Sequence, residues 1–396
     1  MSIRLSIVTG SRADYGLLHP LLTALVASPA CDPSLIVTGT HLSERFGMTV
    51  REIEADGFRI AARVELPLDD DSELGIARAT GVAVSGIATA LASDRPDLVI
   101  ILGDRYEALA AATAAALLRI PVAHLHGGEL TEGAVDDSIR HAITKLSALH
   151  FTSTEEYRHR VVQMGEDPDR VFSVGALGVD NALHAPLLTP ERLAEEIGVE
   201  FAFPTALVTF HPVTHEGDSG VAQVEALLGA LEDAPQLHVV FTLPNADAGN
   251  RAIRERIEAW VAGNAERARA FASLGRVRYL SALAACDVVV GNSSSGIIEA
   301  PSFGKPTVDI GERQRGRVSA DSVRHCEPDR AAINAAITLA LTPEAREAAA
   351  HVVNPYGDGH TAERIVSAIV SAVGEGLSAR KCFCDVDFPL APGKQG

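Results

Sequence analysis

The chain has 396 residues, 47% of them hydrophobic and 22% charged, a length and composition suited to a globular protein of two or three domains with a sizeable core. Its formal net charge is −18, with the acids scattered rather than gathered in a tail, so the overall field repels nucleic acid and anionic membrane surfaces. An anionic ligand must therefore meet a local group of Arg and His.

The first apolar run, Ile3–Val8, is too short for a signal-peptide core or a membrane span and reads as a first strand. From there short apolar runs alternate with Ala-rich segments, the rhythm of a parallel sheet with helices on both faces. The first half offers strands at Leu35–Val37, Leu98–Leu102, Val122–Leu125, His150–Thr152 and Val171–Val174, with helices near 17–27, 42–56, 75–93, 105–119, 136–147 and 154–164. Pro186, Pro190 and Pro204 bracket a polar connection that contains a helix. The second half repeats the pattern with strands at Ala206–Phe210, His238–Thr242, Val277–Tyr279, Val288–Val290 and Thr307–Ile310, and a short helix over Gly296–Ser302. An amphipathic helix from Thr361 to Val373 precedes the tail Lys381-Cys-Phe-Cys-Asp-Val-Asp387. The expected fold class is α/β, two doubly wound domains facing across a cleft. Five cysteines, Cys31, Cys286, Cys326, Cys382 and Cys384, form an odd set without C-x-x-C spacing, the usage of reduced structural thiols in a cytoplasmic protein.

Sheets of this kind bind ligands beyond the carboxyl ends of their strands, and the polar motifs fall there. They are Thr9-Gly-Ser-Arg-Ala-Asp-Tyr-Gly16, Gly103-Asp-Arg-Tyr-Glu107, His124-Leu-His-Gly-Gly-Glu129, His211-Pro-Val-Thr-His-Glu216, Pro244-Asn-Ala-Asp-Ala-Gly249 and Gly291-Asn-Ser-Ser-Ser-Gly296. In the last, backbone N–H groups and the Ser293 and Ser294 hydroxyls suit a phosphate, with Glu299 one helical turn on for a ribose hydroxyl. Arg12, Arg105, Arg140 and Arg313 are the candidate anion contacts, since guanidinium forks match phosphate oxygens. His211 follows a core strand directly. Asp104, Glu107, Glu129, Asp136 and Asp137 supply carboxylates for acid–base work, although Asp136 and Asp137 would also stabilise a helix N-terminus in any protein. No pair of ligands has metal spacing on one helix face, and no metal is expected to be required.

These motifs resemble those of the hydrolysing UDP-N-acetylglucosamine 2-epimerases of bacterial sialic-acid and legionaminic-acid synthesis. The likeness runs nearly end to end, through Arg12-Ala-Asp-Tyr-Gly16, Gly103-Asp-Arg-Tyr-Glu107, His126-Gly-Gly-Glu129, Asp136-Asp-Ser-Ile-Arg-His-Ala-Ile-Thr-Lys145, Gly165-Glu-Asp-Pro168, His211-Pro212, Pro244-Asn-Ala-Asp-Ala-Gly249, the Gly/Ser turn and Gly311-Glu-Arg-Gln-Arg-Gly316. It implies the glycosyltransferase-B architecture. Residues 1–180 would carry the sugar-site acids, residues 181–360 would bind UDP, and a C-terminal helix within 361–385 would cross back onto the first domain. By the same resemblance Arg12, Gly16, Arg105, His211, Asn245, Ser293, Ser294, Gly296, Glu299 and Arg313 hold UDP, while Asp104, Asp136 and Arg140 belong to the sugar site and His211 joins the catalytic set. The implied reaction is anti elimination of UDP to a 2-acetamidoglucal, then syn addition of water, with no redox cofactor. The implied partner is a UDP-sugar, and the protein is expected to form a homo-oligomer, dimer or tetramer.

The chain departs from the family pattern at one place. Where related forms carry Glu ahead of Gly-Gly or Ala-Gly, this sequence has His126, so the role of that acid passes to His126, to Glu129 or to another group. The departure also fits a branch with a modified substrate such as a 2,4-diacetamido-2,4,6-trideoxy sugar, and leaves uridine and guanosine both open. A glycosyltransferase of the same fold and a non-catalytic sugar-nucleotide sensor are the competing readings.

Overall fold

The computed structural model describes residues 2–70, 72–131, 135–201, 203–211, 220–243 and 251–387. The chain divides into two compact units, one of Met1–Glu129, Ser138–Val174 and Glu363–Gly396, the other of Leu130–Asp137 and Gly175–Ala362.

Among the described residues the first unit is built on a seven-stranded parallel sheet of β1 (Ile3–Thr9), β2 (Cys31–Thr38), β3 (Ile60–Val64), β4 (Leu98–Leu102), β5 (Val122–Leu125), β6 (Leu149–Thr152) and β7 (Val171–Ser173), in the order β3-β2-β1-β4-β5-β6-β7. All five residues of β4 are buried, as a strand with helices on both faces requires. The helices are α1 (Arg12–Ala27), α2 (Val50–Ala55), α3 (Glu73–Ser93), α4 (Tyr106–Leu117), α5 (Val135–Leu146) and α6 (Glu155–Gln163). Ser11 caps α1 by accepting from the Asp14 N–H, and Thr154 caps α6 by accepting from the Tyr157 N–H. By length and hydropathy α3 could cross a membrane. Its Ala79, Ala83, Ile87 and Leu91, one turn apart, are instead buried in this unit's core beside Val99, Ile101 and Ala111.

The second unit starts at α7 (Leu177–His184) and α8 (Pro190–Ile197) and carries, among described residues, a six-stranded parallel sheet. Its strands are β8 (Thr205–Thr209), β9 (His238–Thr242), β10 (Ala268–Phe271), β11 (Val288–Gly291), β12 (Thr307–Ile310) and β13 (Val323–Cys326), ordered β10-β9-β8-β11-β12-β13. Around it lie α9 (Val221–Glu232), α10 (Arg251–Gly263), α11 (Gly275–Ala285), α12 (Ser295–Ile298), α13 (Arg330–Ala340) and α14 (Pro343–Ala350). Successive residues feed opposite faces: Val208, Val239 and Val290 enter one core cluster, Leu207, Val240 and Val289 the other. α15 (Thr361–Gly374) bridges the division of the chain. Its first N–H groups, on Thr361 and Ala362, donate to the Asp180 carboxylate at 3.0 and 2.7 Å, while the Arg364 guanidinium donates to the Val174 carbonyl at 3.2 Å.

Both sheets reverse direction of winding between their first and fourth strands, β1 and β4 in one unit and β8 and β11 in the other. Ligands collect beyond the strand ends at such points. The ends of β8 and β11 lie so close that a Cβ on Gly291, at φ +136°, would stand 1.9 Å from the Thr209 carbonyl oxygen.

Several elements differ from expectation. Val277–Tyr279 lies inside α11, and the edge strand is β10, Ala268–Phe271, earlier in the chain. The expected helix over 42–56 is two short 3-10 turns followed by α2, because Gly47 at φ +87° and Met48 at φ +48° interrupt a continuous helix. The segment 296–302 splits into α12 and a 3-10 turn at Ala300–Phe303. β3 and β13 were not anticipated.

Candidate active site

In the first unit the chemistry gathers beyond β4, β5 and β6. β4 runs into Gly103, Asp104 and Arg105; β5 runs into His126, which takes φ +66°, and then Gly127, Gly128 and Glu129. Arg140, buried in the middle of α5, ties these loops together. Its guanidinium pairs with the Asp104 carboxylate and donates to the Glu129 carbonyl at 2.7 Å. His124 fixes the same turn from within β5. Its Nε2 lies 2.8 Å from the Gly103 carbonyl and its Nδ1 3.1 Å from the Thr144 hydroxyl. Burial, opposed by the bond to Gly103, pushes its pKa down to about 3, so the ring is neutral, with Nε2–H donating to the carbonyl.

His126 is held by a neighbouring carboxylate. Its Nδ1 stands 2.9 Å from Oε1 of Glu129, which also accepts from the Ser153 hydroxyl at 2.9 Å. A carboxylate only accepts, so Nδ1–H donates to Glu129. Among the described residues the buried Nε2 of His126 has no hydrogen-bond partner. The Glu129–His126 contact is the carboxylate-orients-imidazole arrangement of general-base sites.

Arg105 is spent partly on Glu107, which receives it through Nε and Nη2 at 3.1 Å each and is itself 2% exposed. Burial raises the pKa of the nearby Asp14, with Arg105 opposing. Arg12 opens α1 and forms an exposed pair with Glu52 at 3.2 Å. A Cβ on Gly16 would meet nothing within 4 Å, so no packing constraint accounts for that glycine.

In the second unit Asn292 is the hub beyond β11. Its Oδ1 accepts from the His211 N–H at 2.7 Å and its Nδ2 donates to the His211 carbonyl at 2.8 Å. Its own carbonyl accepts from Arg313 Nη1 and Gln314 Nε2, both at 2.8 Å. Burial first, and then the Arg313 charge, push the His211 pKa down to about 4, so its ring is neutral at pH 7. Burial and then Arg317 lower the Arg313 guanidinium, with Asp309 and Asp136 opposing. Asp136 and Asp137 occupy the first turn of α5, where Asp137 accepts from the Thr131 N–H at 2.8 Å.

Ser293 and Ser294 lead into α12, which at four residues contributes little helix dipole, so an anion there would depend on the turn's own N–H groups and on Arg313. Gly296 is explained by packing: a Cβ would stand 2.8 Å from Thr307 Cγ2, while Thr307 Oγ1 donates to the Gly296 carbonyl at 2.8 Å. Glu299 packs against α7, where a Cβ on Gly178 would stand 2.4 Å from its Oε1. Asn245 lies outside the described residues. One exposed trio of potential metal ligands, Glu312, His325 and Glu327, comes together among the described residues, without the closed, shielded donor set of a structural site.

The structure thus brings Asp104, His126, Glu129 and Arg140 into one cluster, and His211, Arg313 and the Ser293–Ser294 turn into another. Sequence reasoning gave no role of their own to Asn292, Gln314, His124, Thr144 and Ser153. All five act through buried hydrogen bonds, and only Asn292, directly after a strand-ending glycine, carried a positional signal.

The family described as UDP-N-acetylglucosamine 2-epimerase matches residues 23–370. The chain is 40% identical over 358 residues to the UDP-N,N'-diacetylbacillosamine 2-epimerase (hydrolyzing) of Legionella pneumophila, covering 90% of this chain and 93% of that one. It is 36% identical over 320 residues to the GDP/UDP-N,N'-diacetylbacillosamine 2-epimerase (hydrolyzing) of Campylobacter jejuni, covering 81% and 83%. Among solved structures, the UDP-GlcNAc 2-epimerase of Methanocaldococcus jannaschii in complex with UDP-GlcNAc and UDP superposes with a TM-score of 0.75 over 93% of this chain and 100% of that one, at 20% identity. This likeness establishes the fold, two α/β domains of glycosyltransferase-B type, as the sequence led us to expect.

Proposed function

The chain belongs to the UDP-N-acetylglucosamine 2-epimerase family, and from that membership we propose that it is a hydrolysing 2-epimerase of a UDP-linked 2-acetamido sugar. The reaction releases UDP and the free manno-configured sugar. Departure of UDP breaks the C1–O bond while a base takes the C2 proton, leaving a 2-acetamidoglucal. Water then adds its oxygen to C1, and a proton returns to C2 on the opposite face. No carbonyl acidifies the C2 proton, so bond breaking at C1 runs ahead and stabilisation of the leaving diphosphate contributes most. His211, Ser293, Ser294, Glu299 and Arg313 are assigned to UDP, with Arg12, Arg105 and Asn245 as further contacts. Asp104, Asp136, Arg140, His126 and Glu129 are assigned to the sugar.

The observation that carries this reading is the unpartnered Nε2 of His126, whose other nitrogen is held by Glu129, close in the fold to the Asp104–Arg140 pair. Elimination with rehydration needs two proton-transfer groups, and this cluster supplies an imidazole and a carboxylate with separate environments. For the sugar, the names of the Legionella and Campylobacter relatives favour the 2,4-diacetamido-2,4,6-trideoxy substrate over UDP-N-acetylglucosamine. The test is turnover of both UDP-sugars in deuterated, oxygen-18 water. Deuterium at C2 and label at C1 are expected; label at C1 with no solvent hydrogen at C2 would mean direct hydrolysis. A requirement for an acceptor would mean a glycosyltransferase.

A further inference from the structure

Two motifs remain without a role, Gly165-Glu-Asp-Pro168 and the tail Lys381-Cys-Phe-Cys384, and in the first unit they meet. The Cys384 N–H donates to the Gly165 carbonyl at 3.0 Å, and the Phe383 ring lies so close to Gly165 that a Cβ there would stand 2.2 Å from ring carbon Cε2. Lys145 Nζ sits over the ring, 5.0 Å from its centroid. Beside them Glu166, 2% exposed, accepts from Lys381 at 2.6 Å, Lys145 at 2.5 Å and His150 Nε2 at 3.0 Å.

The Lys381 ammonium also points into the end of α5. It donates to the Ser147 carbonyl at 2.7 Å and, at 3.4 Å, to the Thr144 carbonyl, which also accepts from the Ser147 N–H, and its charge complements the helix dipole there. One turn back on α5 is Arg140, which holds Asp104 and Glu129. The Thr144 hydroxyl contacts His124, whose ring holds the Gly103 carbonyl next to Asp104. The tail, the end of α5 and the β4 turn therefore form one connected hydrogen-bonded path.

We infer that Lys381, clamped by Glu166, is a positioning residue: it fixes the C-terminal end of α5 and through it the Arg140–Asp104 pair. The kinetic part of this inference rests on the function proposed above; the structural part does not. The experiment compares the full-length protein with Lys381→Met and, as a second variant that removes no charge, Phe383→Ala. Hydrogen exchange read by mass spectrometry should rise about tenfold or more in peptides from α5, with β1 and β4 still protected. kcat on the UDP-2-acetamido sugar should fall roughly 10- to 100-fold with UDP affinity within twofold, because a small displacement of a positioned pair is costly in the transition state. Lys381→Arg should restore most of both. In an Arg140→Lys background, Lys381→Met should cost less than about twofold more, since its route is already broken.

Unchanged exchange in α5, exchange raised equally in β1 and β4, or a kcat loss that adds in full to Arg140→Lys would each overturn the inference. Should Lys381→Met fail to fold, the same readouts on Phe383→Ala decide it. A wild-type protein that turns over no UDP-2-acetamido sugar would instead remove the functional reading, and the exchange result would then judge the clamp by itself.

Discussion

The side chain of Asn292 closes a two-bond ring with the backbone of His211, and replacing it should show how firmly that histidine is held. Asn292 is 0% exposed, so Asn292→Ala leaves the His211 N–H and C=O without partners in a poorly hydrated place. Each stranded group costs about 1–3 kcal/mol. His211 is only half-buried and water recovers part of the loss, so the expected destabilisation is about 2–3 kcal/mol in sum. Asn292→Asp is nearly isosteric and should be at least as damaging at pH 7, because a carboxylate oxygen then faces the His211 carbonyl, acceptor to acceptor. Acid separates the two variants. A carboxyl held at this site has its pKa raised on folding, so the protonated form, which can donate to His211, is favoured by the native state. Relative to wild type, Asn292→Asp should therefore recover stability as pH falls from 7 to 5, while Asn292→Ala should not. The chain's single tryptophan, Trp260, belongs to the second unit, so urea titration followed by its fluorescence reads the relevant unfolding step. Identical behaviour of the two variants at both pH values would refute the hydrogen-bond ring as the device that holds His211.

Three further outcomes are expected. His126→Gln keeps size and a hydrogen bond to Glu129 but cannot accept a proton, so kcat should fall about 100-fold with UDP affinity within twofold by calorimetry; near-normal kcat would move the role to Glu129. His124, His41 and His211 have folded pKa values pushed by burial from 6.5 to about 3, 4 and 4, so the unfolded chain binds more protons between those limits. Their contribution is fully present above pH 6.5 and lost as pH falls toward 4, a slope in the urea midpoint that His124→Gln should flatten. Gly178→Ala should lower UDP affinity about tenfold by displacing Glu299, although alanine within a helix would otherwise stabilise by about 1 kcal/mol. A melting temperature raised with affinity unchanged would detach Glu299 from UDP.

Strands buried on both faces were legible because they are continuous apolar runs: β1, β4, β8 and β11 announce themselves. Of the four edge strands only β7 did, as Val171–Val174. β10 carries Arg269 and is mostly half-buried, and β3 alternates exposure along Ile60–Val64, so neither has the run that marks a core strand. Val277–Tyr279 misled for the converse reason: β-branched and aromatic residues flank an arginine there, yet none of the three is buried as a core strand would be, and the buried residues of α11, Leu280 to Leu283, follow them. At the candidate site, residues whose chemistry can be exposed to a ligand were visible from type and position after a strand. Residues such as Asn292, His124 and Ser153 were not, since their work is to satisfy partners distant in sequence, Ser153 lying 24 residues from the Glu129 it serves.

The first unit's chain leaves at Val174 and returns at Glu363, which sets an order of events during synthesis. Between Val174 and Cys384 the ribosome must add 210 residues (384 − 174), and at roughly 5–20 residues per second that takes about 10–40 s. Throughout that interval β7, the edge strand of the first sheet, lacks the Arg364 contact that α15 makes just beyond its end at Val174, and open sheet edges invite pairing with other chains. Residues that emerge long after Val174 therefore complete the first unit begun. Fusions or stalls at the carboxyl terminus should accordingly reveal themselves as trouble in the amino-terminal sheet, far from where the chain was altered.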